Sequence, residues 1–138
     1  MKTPTHLSHK PIISVEDYEL IDGKYSDDTD AKVLSIGIAQ WDKSETDITA
    51  KVFRNWGDRW SRQSEELPLH RVFDLSILAI SSFMKSKENM KPATYLKEQV
   101  VNLENLQKIE NYFVENKTEL TTRIDELKRV IELFNSQK

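Results

Sequence analysis

Two consecutive stretches constrain the fold of this chain more than anything else in it. Val33 to Trp41 (VLSIGIAQW) alternates Leu34, Ile36 and Ile38 with Ser35, Gly37 and Ala39, and Ile48 to Trp56 (ITAKVFRNW) alternates Ile48, Ala50 and Val52 with Thr49, Lys51 and Phe53. A period of two is that of a β-strand, whose successive side chains leave opposite faces. The polar turn Asp42 to Asp47 between them predicts an antiparallel hairpin. The small residues on one face of the first strand predict close packing there. Gly57 and Asp58 supply a second tight turn, because glycine takes a positive φ at no steric cost, and Trp60 to Ser64 (WSRQS) reads as a third strand.

Glu65, Glu66 and Pro68 read as the opening of a helix, since acids suit the positive end of the helix dipole and proline is tolerated in a first turn. The helix, extending to residue 84, is apolar at Leu69, Val72, Phe73, Leu75, Ile77, Leu78, Ile80 and Phe83, with a narrow polar strip of His70, Arg71, Asp74 and Ser81. Three strands cannot cover that much apolar circumference, so a second layer or a partner chain is expected. After a polar linker over 85–91, residues 92–138 read as helical, with Leu120, Ile124, Leu127, Ile131 and Phe134 forming a heptad seam. Asn116 and Glu119 resemble a capping box and predict two helices folded back on each other. The expected fold is therefore α+β. A flexible arm (1–11) precedes a core (12–84) in which an antiparallel meander sheet of three to four strands packs on one apolar helix. A C-terminal helical hairpin follows and packs on that core or on a partner chain.

Composition removes several function classes. The three glycines, Gly23, Gly37 and Gly57, are too far apart for a Gly-x-Gly-x-x-Gly or Walker loop, and the absence of cysteine excludes disulfides, thiolate metal sites and thiol catalysis. No apolar run is long enough to span a bilayer, and Met1 to Lys10 lacks the apolar run of a signal peptide, which predicts a soluble cytoplasmic protein that engages no membrane. No residue pattern calls for a cofactor or a metal.

The formal charge of −3 argues against a surface that grips duplex nucleic acid, but it is the sum of unlike parts. Residues 16–30 carry seven acids against Lys24, whereas Lys51 to Arg62 (KVFRNWGDRWSR) carries Lys51, Arg54, Arg59 and Arg62 against Asp58, with Trp56 and Trp60 flanking the turn. Cations follow a phosphate backbone and aromatic faces stack on unpaired bases, so these six residues form a candidate single-stranded nucleic-acid surface. The competing structural reading buries the tryptophans and pairs the arginines with the acidic run. Glu66, His70 and Asp74, spaced by four, share one face of the expected helix and are a candidate small-molecule site; the competing reading makes His70 an ordinary surface or interface histidine. No Gly-x-Ser-x-Gly elbow nominates a nucleophile, and Asp27, Asp28 and Asp30 lack the spacing of a calcium loop. The sequence thus points to a non-enzymatic binding module, homodimeric, acting on single-stranded nucleic acid. The rivals are an adaptor working through the C-terminal helices and a small-molecule binder or enzyme around Glu66, His70 and Asp74.

The stretch WSRQSEELPLHRVFDL, with LSIGIAQWD and DITAKVFRNW, resembles a bacterial family of uncharacterised proteins over residues 9–84. That resemblance implies the same strand, strand, strand, helix layout and no catalytic residue. The layout from Val33 to Phe83 is also similar to the positive cofactor four family of transcriptional coactivators, dimers whose curved sheet, backed by a helix, holds single-stranded DNA. By that resemblance Lys51, Arg54, Trp56, Arg59, Trp60 and Arg62 occupy the comparable strand positions. The first strand has no basic residue after Lys32, the lysine-rich tail is missing, and the C-terminal extension has no counterpart.

Overall fold

A computed structural model describes residues 1–62 and 64–137. The fold is α+β, in two compact units, Met1–Leu75 and Ser76–Lys138. The first unit holds an antiparallel sheet of strands β1 (Lys10–Val15), β2 (Ala31–Ile38), β3 (Ile48–Trp56), β4 (Arg59–Trp60) and β5 (Glu66–Pro68). The order is β1-β2-β3, and β4 and β5 occupy opposite ends of the outer edge of β3. Helix α1 (Leu69–Ser82) starts in the first unit and ends in the second, which also contains α2 (Leu106–Glu115) and α3 (Lys117–Ser136).

The β2–β3 hairpin follows from its alternation, with Val33 opposite Phe53, Leu34 opposite Val52, Ser35 opposite Lys51 and Ile36 opposite Ala50. Its 42–47 loop is organised by one carboxylate: Asp42 accepts from the backbone N–H groups of Ser44, Thr46 and Asp47 and from both hydroxyls. Those donors hold its carboxyl well below the usual carboxylate range. At the other end Gly57, at φ 77°, makes the two-residue turn that pairs Trp56 with Arg59.

Two strands were not legible as strands. β1 pairs with β2 although its Pro11 lacks a donor, which an edge strand tolerates, and a register shift between Pro11 and Ile13 absorbs the misfit. The expected free arm is therefore fastened to the sheet: Pro4 is buried, and so is His9, just ahead of β1. Gly37 makes this possible, since a Cβ there would lie 2.1 Å from the Lys10 carbonyl oxygen. Glu66–Pro68, expected as the first helical turn, is β5, and α1 starts one residue later. Proline ends the strand as well as it begins a helix, because either position leaves its missing N–H without consequence.

The sheet packs closely on the face where the small residues of β2 predict it. The small and polar face is the sealed one, with Ala31, Val33, Ser35, Thr49, Lys51, Phe53 and Asn55 buried. The apolar face, Leu34, Ile36, Ala50 and Val52, is only half covered.

In the second unit the loop after α1 is organised by Glu98. Its carboxylate receives Lys85 Nζ at 2.7 Å, the N–H groups of Ala93 and Thr94, and the Thr94 hydroxyl at 2.7 Å. Phe83 packs on Phe113 with centroids 4.8 Å apart. The helical end is not folded back. Asn116 N–H donates to the Tyr112 carbonyl and closes α2, and Leu120 N–H donates to the Asn116 carbonyl and opens α3, so this single residue joins the two helices. A reversal needs a loop of at least two residues, and one asparagine does not supply it.

Candidate interaction surfaces

The basic hairpin is divided by its neighbours. Lys51 points into the sealed face, where its Nζ lies 3.6 Å from Glu66 Oε1, and sits over the Phe53 ring at 5.6 Å. Arg54 is clamped: its Nε and Nη2 donate to the two Glu65 oxygens at 2.8 and 2.7 Å, and Nη1 donates to Asp30. These carboxylates raise the guanidinium above its ordinary value, and Arg54 in turn holds the Glu65 carboxyl low. Asp30 is the last residue of the acidic run, which thus reaches the hairpin. With Tyr18, Asp22, Tyr25 and Asp28 it walls an open cleft of about 880 Å³ beside Arg54 and Trp56. Trp60 is half-buried with its ring edge on Phe53 at 5.8 Å. Trp56, 70% exposed, Arg59 and Arg62 remain open at the tip.

Glu66, His70 and Asp74 are not brought onto one helical face. Glu66 lies in β5 opposite Lys51, with its side chain buried, whereas His70 is exposed and Asp74 half-buried on α1. The carboxylate instead meets a different histidine. Thr49 Oγ1 donates to Glu66 Oε2 at 3.1 Å and must therefore accept the Nδ1–H of His9 at 3.2 Å. That leaves His9 Nε2 to accept from the Ser35 hydroxyl at 2.9 Å. Burial pushes the ring's pKa below the ordinary 6.5 and so favours this neutral form, with Glu66 opposing and Lys51 reinforcing that shift. Glu66 Oε2 also accepts the Gln40 N–H at 3.0 Å. Oε1 has no hydrogen-bond partner among the described residues, because Lys51 Nζ and His9 Nδ1 both stand off at 3.6 Å.

A serine, a histidine and a carboxylate in sequence is the order of an acyl-transfer relay. Here Ser35 is buried behind His9, and Thr49 intervenes between the ring and the carboxylate, so the cluster has no path for a substrate. What it does is fasten the N-terminal segment to the sheet. The sequence could signal it only as polar residues on the small face of two strands, since His9 is forty positions from Thr49. Among the described residues no group of His, Asp and Glu converges as a metal site, and no helix is long and apolar enough to cross a membrane.

The other face of the sheet carries a groove of about 430 Å³, walled by Ile13, Val15, Leu34, Ile36, Val52 and Leu67. In the second unit, α3 has no buried residue at all, and Val130, Ile131 and Leu133 are about half exposed. The chain belongs to DUF6530, a family of unknown function, whose model matches residues 1–137. No curated protein and no solved structure matches it.

Proposed function

We propose that the chain is a non-enzymatic protein-interaction module whose contact element is α3. The observation that carries this reading is that none of the twenty residues of α3 is buried. Helical stability in proteins comes mainly from packing an amphipathic face. The seam Leu120, Ile124, Leu127 and Ile131 is such a face, and it calls for a second apolar helix or groove. The test is capture of partners by the full-length chain from native lysate, against Leu127→Glu/Ile131→Glu. Loss of specific capture with unchanged far-ultraviolet circular dichroism supports the reading; equal capture by both proteins overturns it.

The exposed Trp56 favours a second reading, a single-stranded nucleic-acid contact. It is carried by Trp56, Arg59 and Arg62 at the tip with Trp60 behind them, and Lys51 and Arg54 serve it only as scaffold. Stacking contributes about 1 to 3 kcal/mol per base. Fluorescence anisotropy with short labelled single strands at low salt should show binding that falls with salt and drops on Trp56→Ala. No binding at low salt would sink it.

A further inference from the structure

We propose that the open cleft beside Arg54 is a binding site for an organic polycation, a methylene chain that carries two or more ammonium groups. The cleft lies wholly within the first unit and holds about 880 Å³, in the range of small-ligand sites. Its lining sets four carboxylates, Asp22, Asp28, Asp30 and Glu65, against one guanidinium, Arg54. Two of the four are already engaged, because Arg54 holds Asp30 and Glu65. Asp22 and Asp28 are the other pair. Neither carboxylate takes part in an ion pair or a hydrogen bond among the described residues, and Asp22, although it precedes a helical turn, caps no amide there. The bordering cations do not reverse the sign: Lys32 donates to the Thr29 carbonyl and Lys24 lies over the Tyr25 ring, beside a run, 16–30, that carries seven acids.

Carboxylates alone would make only a solvated acidic surface. The aromatic wall is what makes the cleft selective. Tyr18, Tyr25 and Trp56 line it together with the acids, and Tyr25 and Trp56 are well exposed. A ring face attracts an ammonium group and also covers the methylene stem behind it. Tyr25 already accepts such a group, since Lys24 Nζ stands 5.4 Å from its centroid. A hard metal ion needs several converging oxygens, and no group of His, Asp and Glu among the described residues supplies them. An aliphatic chain with ammonium groups suits both kinds of wall, with its charges on Asp22 and Asp28 and its methylenes on the rings. Free polyamines and the lysine side chains of a peptide both carry this chemistry. The proposal is separate from the α3 contact, which belongs to the second unit, and opposite in charge to the nucleic-acid reading, so either can fail without it.

Isothermal titration calorimetry of the full-length chain with spermidine and with pentalysine, at low salt, tests it. Spermidine should bind with a Kd of about 100 μM or tighter, which assigns the site to a free polyamine; binding of pentalysine alone assigns it to a basic peptide. Asp22→Asn/Asp28→Asn should weaken the binding about tenfold or more, and Trp56→Ala about threefold or more. Asp125→Asn/Glu126→Gln removes the same charge from α3 and should leave the Kd unchanged. Should the Asp22/Asp28 variant fail to fold, Trp56→Ala, at the exposed hairpin tip, carries the test with the α3 variant as its control. No heat of binding with either cation overturns the proposal. Binding unchanged by Trp56→Ala, or weakened as much by the α3 variant as by the cleft variants, overturns it as well, because the attraction would then be diffuse rather than seated in the cleft.

Discussion

Lys51 and Glu66 face each other across the β3–β5 pair with Nζ and Oε1 3.6 Å apart, in side chains only 5% and 3% exposed. The two charges have left water together, and neither is satisfied by the other alone. Thr49 and the Gln40 N–H hold Glu66 Oε2, and Lys51 lies over the Phe53 ring. Removing the lysine strands a buried carboxylate, whereas removing both charges does not. Lys51→Met should therefore cost about 3 kcal/mol in urea unfolding, and Lys51→Met/Glu66→Leu should recover at least half of that loss. A double variant no better than the single one would show that the pair is not the source of the loss.

His9 makes folding sensitive to acid. Its pKa in the folded protein is depressed, first by burial and then by Lys51, against the pull of Glu66. The folded state therefore binds its proton less readily than the unfolded chain does. The stability this contributes is complete above about pH 6.5 and is lost as the pH falls through the depressed value. Melting temperature should begin to drop below pH 6.5, ahead of the carboxylates Glu65 and Glu98, which are held below their usual range. His9→Gln should be less stable at pH 7.5 and flatter between pH 6.5 and 5; an unchanged slope would assign the effect to another group.

Gly37 is fixed by proximity. A methyl group placed there would meet the Lys10 carbonyl, backbone that cannot rotate away. Gly37→Ala should push β1 from β2 and cost about 1 to 3 kcal/mol. Hydrogen exchange should report it as faster exchange through β1, with the β2–β3 pairing retained.

The Lys85–Glu98 pair has a local role. Because the carboxylate also gathers Ala93 and Thr94, Glu98→Gln should loosen residues 85–98 and admit protease there at a higher rate. Glu126→Gln, in the exposed pair with Arg129, should leave the cleavage rate unchanged.

Much of the fold was legible because it depends on local pattern. The period of two in β2 and β3, the turn at Gly57, the helix from Leu69 and the helical tail beyond residue 102 all follow from steric preference and alternation within a few residues of each position, whereas 92–102, expected as helix, are turns and irregular chain. What misled was residue type at the boundaries. Pro11 hid an edge strand, and Glu65, Glu66 and Pro68 spelled a helix start in a segment that became β5, because both roles tolerate a missing donor and an acid. The candidate sites divided in the same way. The exposed tip, Trp56 with Arg59 and Arg62, follows from the hairpin itself, but the fates of Arg54 and Glu66 depended on hydrogen-bond partners 24 and 26 positions distant, Asp30 and Gln40.

By itself, then, the sequence determined that this chain makes an antiparallel hairpin, an apolar helix and a charged helical tail. It also determined that the tail and helix carry more apolar surface than the sheet can cover. Only the tertiary structure decided that the apolar sheet face is left half covered. An alternating strand offers two faces, and an apolar one is ordinarily buried, yet here the close approach allowed by Gly37 and the hydrogen bonds of His9 hold the N-terminal segment against the small, polar face. A contact between His9 and Ser35, or between Arg54 and Asp30, has no local signature, because its energy appears only when the chain has folded and water has been excluded.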